Sequence, residues 1–408
     1  MQNTLSRSGA ALAPERNAAP RVVSVDIFRG LNVLMMIFVD NLGLVVGLPW
    51  WTNHMPRDVN GMTYVDMVFP AFLFLMGMSI PLSLDARLVR DGRRTGLWGH
   101  VIARSLILVA MGMFVANAPQ VNAQHAGLSE PWWAGLGFVA IAMMLFHWPG
   151  SIRHEKLLLA FRCAGLALLV LLFVIFRRVT AQGEVAWLDF SDWEILGLLG
   201  WAYLVASALY LLFGKRIGVL FGAFAVLVSV NCFSVAGYLR SIEDWPPYFK
   251  PFEAGLASLT LAGVLGALIL VDGKLGKTFA AKGKWILTAA VLALIAGWLL
   301  RPLGISKIRD TPTWCLYCTA ANLVIALGLY WIADVKGWKK WSRFLLPIGQ
   351  NALLAYFLPY VAYLIPKVYS LTADGTTGWH GVAWSAAFAV MVGALVVVVT
   401  QMGVRLRV

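Results

Sequence analysis

Charge is what this chain has least of. Charged side chains make up 13% of its 408 residues, against 60% hydrophobic ones, where a soluble domain carries roughly 25% charge. So few charges cannot clothe a water-facing surface, and a soluble globular fold is excluded. Acidic residues are the scarcer sign, 20 against 33 Lys and Arg. Cysteine is rare too. The four, Cys163, Cys232, Cys315 and Cys318, all lie in apolar stretches and read as small core residues, not as a disulfide framework. Cys315 and Cys318 have CxxC spacing, but no second pair or nearby His completes a metal site. The six histidines show no ligand spacing such as HxxxH, so no metal is expected. There is no Walker or Rossmann glycine pattern and no low-complexity tract. The lack of a visible internal repeat weakens an inverted-repeat transporter.

Long apolar runs are what is there instead. Twelve come near the roughly 20 residues needed to cross about 30 Å of hydrocarbon. They fall at 28–48, 64–84, 99–118, 132–149, 156–176, 193–213, 217–238, 252–271, 285–303, 313–334, 344–365 and 381–403. The run at 132–149 is short, so eleven spans is the alternative count. The sequence predicts an all-α, polytopic transmembrane helix bundle. Residues 1–20 are polar and Ala-rich and read as a disordered cytoplasmic tail with no cleavable signal peptide. Residues 21–408 are read as a single transmembrane domain.

The net charge of +13 follows the positive-inside rule and calls for no nucleic-acid partner. With the N-terminus in the cytoplasm, alternating loops place 21 Lys and Arg inside and nine outside, with Arg29, Arg104 and Arg162 in or at the edge of spans. Both termini are then cytoplasmic, and the loop holding His54 is exterior.

A charge in hydrocarbon costs about 2.5–3.5 kcal/mol on the insertion scale, so each intramembrane polar group needs a reason. Asp26 and Arg29, three apart near the inner end of span one, read equally as a snorkelling ion pair and as a place where Arg29 meets an anionic cofactor. Arg104 follows the basic loop Arg87, Arg90, Arg93, Arg94, and is either a flank or part of that same anion site. Asp40 and Asn41 lie towards the outer end of span one, and Asp66 opens span two from the same side. Between them His54 sits in the polar segment Trp50-Trp51-Thr52-Asn53-His54-Met55-Pro56-Arg57-Asp58-Val59-Asn60-Gly61. A titratable group between two spans, with carboxylates on both sides, points to chemistry at a bilayer surface. Asn351, within an apolar run, more often ties helices than performs catalysis. The segment Gly304–Trp314, with Lys307 and Arg309, gathers cationic and hydroxyl groups at the depth of the His54 loop; the alternative is a solvated turn with a Trp anchor.

Six segments in order resemble the heparan-α-glucosaminide N-acetyltransferase family. They are Ser24-Val25-Asp26-Ile27-Phe28-Arg29-Gly30, the His54 loop, Asp66-Met67-Val68-Phe69-Pro70-Ala71-Phe72-Leu73-Phe74, Thr311-Pro312-Thr313-Trp314-Cys315-Leu316, Asp334-Val335-Lys336-Gly337-Trp338 and Pro347-Ile348-Gly349-Gln350-Asn351. The likeness runs from residue 21 to about 360 and implies a bacterial, DUF5009-like, multi-pass protein of the inner (plasma) membrane. It also implies an acyltransferase: acetyl-CoA gives its acetyl group from the cytoplasmic side, and an amino sugar or glycan with a glucosamine-type amine accepts it on the periplasmic side. His54 stands at the place of the family's active histidine, as general base or as a transiently acetylated nucleophile. The candidate catalytic companions are Asp40, Asn41 and Asn351, the two Asn as oxyanion donors. Arg29 and Arg104 are candidate contacts of CoA, and Asp66, Asn60 and Lys307 of the acceptor. The chain departs from the family's His-x-x-Trp-Asn-Gly pattern after His54, where the segment is two residues longer and lacks the Trp. Asp40 and Asn41 also compete for one family Asn. The bilayer is an expected partner, and a homodimer stays open. The rival readings are a secondary transporter of sugars or amino sugars, and a protein that kept the fold without the catalysis.

Overall fold

The computed structural model describes residues 22–92, 94–147, 155–239, 253–273, 275–364 and 374–406; the expected tail 1–20 lies outside them. The helices are α1 (Val23–Leu42), α2 (Val68–Asp91), α3 (Arg94–Asn117), the single turn α4 (Ala123–Ala126), α5 (Glu130–Leu145), α6 (Glu155–Ile175) and α7 (Glu194–Phe213). They continue as α8 (Ile217–Val235), α9 (Ala254–Val271), α10 (Phe279–Leu299), α11 (Pro312–Tyr330), α12 (Leu345–Gln350), α13 (Ala352–Leu364) and α14 (Gly378–Gln401). Strand structure among the described residues amounts to two antiparallel pairs, Phe146–His147 with Arg405–Leu406 and Arg178–Val179 with Val185–Ala186, and one isolated bridge.

Nine helices among the described residues are long and apolar enough to cross a membrane, and the chain is a multi-pass membrane protein. Every one of the twelve runs contains a helix, but three miss that standard for different reasons. α1 carries Asp26, Arg29 and Asp40 within 20 residues. α5 has only 16 residues, as its short run suggested. The run at 344–365 is broken at Asn351, whose backbone (φ −126°, ψ 40°) leaves the helical region between α12 and α13.

α1 begins five residues before its apolar run because a distant carboxylate caps it. Asp334 accepts from the backbone N–H of Val23 (2.9 Å) and of Ser24 (3.0 Å), 311 and 310 positions away. A negative charge there satisfies two unpaired N–H groups and complements the helix dipole. A π-helical turn, Trp331–Val335, ends α11 and delivers Asp334 to that place.

α9 is buried along nearly its whole length and forms the centre of the bundle. It crosses α2 at a seam of two glycines. A Cβ on Gly77 would collide with the Thr260 carbonyl, and one on Gly263 with the Phe74 carbonyl. Small residues let backbones touch where lipid offers no hydrophobic drive for helix association. Both ends of α9 have polar partners, and at its C-terminal end the partner is a cation that complements the dipole. The Lys282 ammonium donates to the Leu270 carbonyl in the last turn. Asp310 packs over Gly255 in the first turn and accepts from the Leu256 N–H.

Loops that the charge count puts on one side do meet. The His54 loop bonds to residues 304–311 through Asn60 and Gly61, and Val46 pairs with residues 376–378. At the far end Lys215 bridges Asp85 (2.8 Å) and Asp272 (3.2 Å).

Candidate active site

The site is built where α1 ends and α2 begins. The chain leaves α1 at Leu42, runs through the His54 loop and re-enters the bundle by a 3-10 turn, Val65–Met67. This turn sinks Asp66, which is fully buried. Asp66 Oδ1 lies 2.7 Å from His54 Nδ1. Its Oδ2 accepts from the backbone N–H groups of Thr63 (2.9 Å) and Met55 (3.3 Å), and from the Thr63 hydroxyl (3.4 Å). The Trp314 indole N–H holds the Asp66 carbonyl from behind (3.2 Å). A carboxylate fixed this way makes Nδ1 the protonated ring nitrogen and leaves the lone pair on Nε2. The His54 side chain is 44% exposed and that of Asp66 only 1%, so the acid stands behind the imidazole.

Lys307 comes from the turn before α11. Its Nζ lies 3.2 Å from His54 Nε2 and 3.4 Å from Nδ1. The turn is fastened to the His54 loop: Asn60 Oδ1 accepts from the Ile305 N–H (2.7 Å), and the Ile305 carbonyl accepts from the Gly61 N–H (2.9 Å). Gly304 opens the turn at φ +82°, a conformation that side chains rarely adopt. Burial pushes the Lys307 pKa down, against an upward pull from Asp66, Asp40 and Glu194. His54, Lys307, Asp40, Phe69, Phe72 and Ile195 line a cavity of about 30 Å³. That is room for about one water, the size of a reacting head group and not of a sugar ring.

The structure sorts the expected site residues. Asp40 lines this cavity, while its neighbour Asn41 is fully buried and outside the lining. Lys307 is at the His54 ring. Asp66, expected at the acceptor, sits behind His54 and positions it. Asn60, also expected there, holds two loops together. Asn351 is not brought to His54 at all. Its Nδ2 donates to Thr400 Oγ1 and to the Val404 carbonyl (3.0 Å each), and its Oδ1 accepts from the Leu406 N–H (3.1 Å). The neighbouring Gly349 packs on the Asp26 carbonyl, at the opposite end of α1 from Asp40. Asn351 therefore ties the helix break to the C-terminal segment.

The two candidate CoA contacts have separate partners. Arg29 donates from Nη1 to Asp26 Oδ1 and to the Gly349 carbonyl (3.1 Å each), and from Nη2 to Ser79 Oγ (2.6 Å). Arg104, on α3, lies over the Tyr203 ring with 4.7 Å to the centroid. Arg29 thus joins α1, α2 and α12. Among the described residues, no group of three or more His, Cys, Asp or Glu is placed to hold a metal ion.

One acid near the site, outside the lining of the cavity, escaped the sequence reading. Glu194 opens α7, and its carboxylate accepts from the Tyr356 hydroxyl (2.7 Å) and the Tyr360 hydroxyl (3.3 Å). Its charge adds to the upward pull on the Lys307 pKa. The available signal was a carboxylate at the mouth of the run 193–213, on the same side as His54.

Residues 21–251 match the model of a family described as a domain of unknown function, DUF5009. The chain belongs to this family. The DUF5009 match takes in α1, the His54 loop, α2 and Glu194, and stops short of Lys307. The chain is also 39% identical over 102 residues to heparan-alpha-glucosaminide N-acetyltransferase of Mus musculus, covering 25% of this chain and 15% of that protein. With the protein of the same name from Homo sapiens the identity is 40% over 98 residues, 24% of this chain and 14% of the relative. The likeness thus spans a small part of either relative's length.

Proposed function

We propose that this protein moves an acetyl group from acetyl-CoA to the amine of an amino sugar, at its His54 end. The observation that carries this reading is the 2.7 Å bond between His54 Nδ1 and the buried Asp66. It fixes one imidazole tautomer, in which Nε2 accepts from the Lys307 ammonium (3.2 Å) until the acceptor amine takes that place. Acetyl-CoA supplies a thioester, whose carbonyl carbon is the electrophile. His54 Nε2 takes a proton from the acceptor amine as its nitrogen attacks that carbon. The C–N bond forms, the C–S bond breaks, and the departing thiolate takes up a proton. Asp66 steadies the imidazolium formed on the way. The Lys307 ammonium donates to the oxyanion of the tetrahedral state, a contribution worth about 2.7–4 kcal/mol for one well-placed donor. The similarity to glucosaminide N-acetyltransferases supports an amine as acceptor. The charge bias of the loops supports an acceptor outside the inner membrane and a donor reaching in from the cytoplasm.

The test is acetyl transfer from labelled acetyl-CoA to glucosamine by the full chain in lipid nanodiscs. The wild type transfers, and His54→Ala loses about 10²–10⁴-fold in rate while acetyl-CoA still raises its melting temperature. Retained turnover in His54→Ala, or a wild type that neither transfers nor is stabilised by acetyl-CoA, overturns the proposal.

A further inference from the structure

The acceptor amine of the proposed reaction must stand at His54 Nε2, and the chain already holds an amine there. Lys307 Nζ lies 3.2 Å from that nitrogen, and both side chains line the same cavity. Among the described residues, the Lys307 ammonium bonds to the His54 ring and to no carboxylate. Its backbone is fixed on either side. Before it, the Ile305 N–H donates to Asn60 Oδ1 (2.7 Å). After it, the Lys307 carbonyl accepts from the Asp310 N–H and the Ser306 carbonyl from the Thr311 N–H (3.1 Å each). The Ser306 N–H donates in turn to Thr311 Oγ1 (3.0 Å). A closed turn thus presents the amine, and no loose loop carries it away.

An amine tethered in this way needs no binding step, and a well-oriented intramolecular group reacts as if it were present at very high concentration. A base is already in hydrogen-bond reach of its proton. Burial also holds the Lys307 pKa below its ordinary value, so passing that proton to His54 costs less than it would for a solvated lysine.

We propose that Lys307 is a second acceptor of the acetyl group, modified at Nζ when no amino sugar stands at His54 Nε2, and that this modification closes the site. This rests on the acetyl-transfer reading for its donor. One ammonium proton passes to His54 Nε2, and Asp66 steadies the imidazolium. The Nζ lone pair attacks the thioester carbonyl carbon. The C–N bond forms, the C–S bond breaks, and the thiolate takes the second proton from the nitrogen and leaves as the CoA thiol. His54, whose side chain is 44% exposed, returns its proton to water. An ammonium and a thioester thus become an amide, a thiol and one released proton. The amide carries no charge, so the oxyanion loses its cationic donor. The acetyl group also takes the place beside Nε2 that the acceptor needs. An amino sugar already bound there shields Lys307 from the same fate.

The experiment is peptide mass spectrometry of the full chain in nanodiscs after incubation with acetyl-CoA, with and without glucosamine. Lys339 and Lys340, both exposed, report unassisted acetylation in the same sample. Without glucosamine, Lys307 gains its acetyl group at least about tenfold faster than either of them. Glucosamine slows the modification of Lys307 and leaves theirs unchanged. His54→Ala brings Lys307 down to their rate, while acetyl-CoA still raises the melting temperature of that variant. Protein acetylated beforehand loses glucosamine transfer in proportion to the fraction modified at Lys307. A Lys307 modified no faster than Lys339 and Lys340 overturns the proposal, and so does one modified equally fast in His54→Ala. The two readings fail separately. His54-dependent acetylation of Lys307 without transfer to glucosamine removes the amino-sugar reading alone, and transfer without acetylation of Lys307 removes this inference alone.

Discussion

At the end of the bundle away from His54, four of the charged groups meet opposites or backbone dipoles. Arg29 is taken up by Asp26, Ser79 and the Gly349 carbonyl. Lys215 lies between Asp85 and Asp272, Lys282 sits on the last turn of α9, and Asp334 caps α1. At the His54 end, Asp40, Lys307 and His54 instead border a common void. The insertion cost of a charge, about 2.5–3.5 kcal/mol, is similar at both ends. Pairing offsets it at the first end, and there the charges hold helices together. At the second it is left partly uncompensated, and those groups keep the capacity to act on something else. An ionisable residue inside a span thus marks a reactive place only when its partners leave it unsaturated.

The sharpest way to break this comparison is Asp66→Asn. An amide behind His54 no longer enforces the tautomer with a free Nε2, and kcat should fall by about 10²–10⁴-fold, with acetyl-CoA-dependent thermal stabilisation retained. Unchanged turnover in that variant would place the chemistry elsewhere. Next in size is the pH profile. Burial holds the Lys307 pKa below its ordinary value, which is about 10.4. As pH rises through the lowered value the ammonium loses its proton and its donor charge. The alkaline limb of kcat should therefore fall earlier than an ordinary lysine allows. In Lys307→Arg, which stays charged at all accessible pH, that limb should move to higher pH.

The opposite end should answer in stability. Arg29→Ala removes hydrogen bonds from a charged group, each worth about 1.5–3 kcal/mol, and should lower the melting temperature while leaving kcat/KM for glucosamine within about twofold. A fall in acetyl-CoA affinity, read by calorimetry and exceeding the stability loss, would return Arg29 to the role of a phosphate contact. The smallest effect belongs to Asn60→Ala. It unfastens the His54 loop from the Lys307 turn at a cost of about 0.5–1.5 kcal/mol, visible as a few-fold rise in KM with kcat nearly kept.

The helices were legible because apolar runs of membrane length have few other uses. Where their ends fall was less so, because the cap of α1 comes from Asp334, 311 positions along the chain. His54 could be found as a titratable residue in a polar loop between two spans, and Asp66 as a carboxylate at similar depth. Their relation could not, since a buried carboxylate at a span mouth reads equally as a ligand contact and as a support. Asn351 shows the converse. Its polarity within an apolar run is visible, but the partners that satisfy it lie about 50 positions further on, at Thr400, Val404 and Leu406. Glu194 was missed because a single acid at a helix start resembles an ordinary interfacial residue. Only folding brings Tyr356 and Tyr360 onto it, from α13.

The glycine seam between α2 and α9 bears on how anything travels through this molecule. Where each backbone carbonyl rests against the other helix's Cα, neither rod can slip by a turn without first lifting off its neighbour. α2 runs from the Asp66 turn, past Ser79 under Arg29, to Asp85 at the far end. α9 runs beside it from Asp310 to Lys282. The two make a stiff spar joining one face of the membrane domain to the other. A frame braced in this way moves as one piece, so any rearrangement of the domain must carry α2 and α9 together.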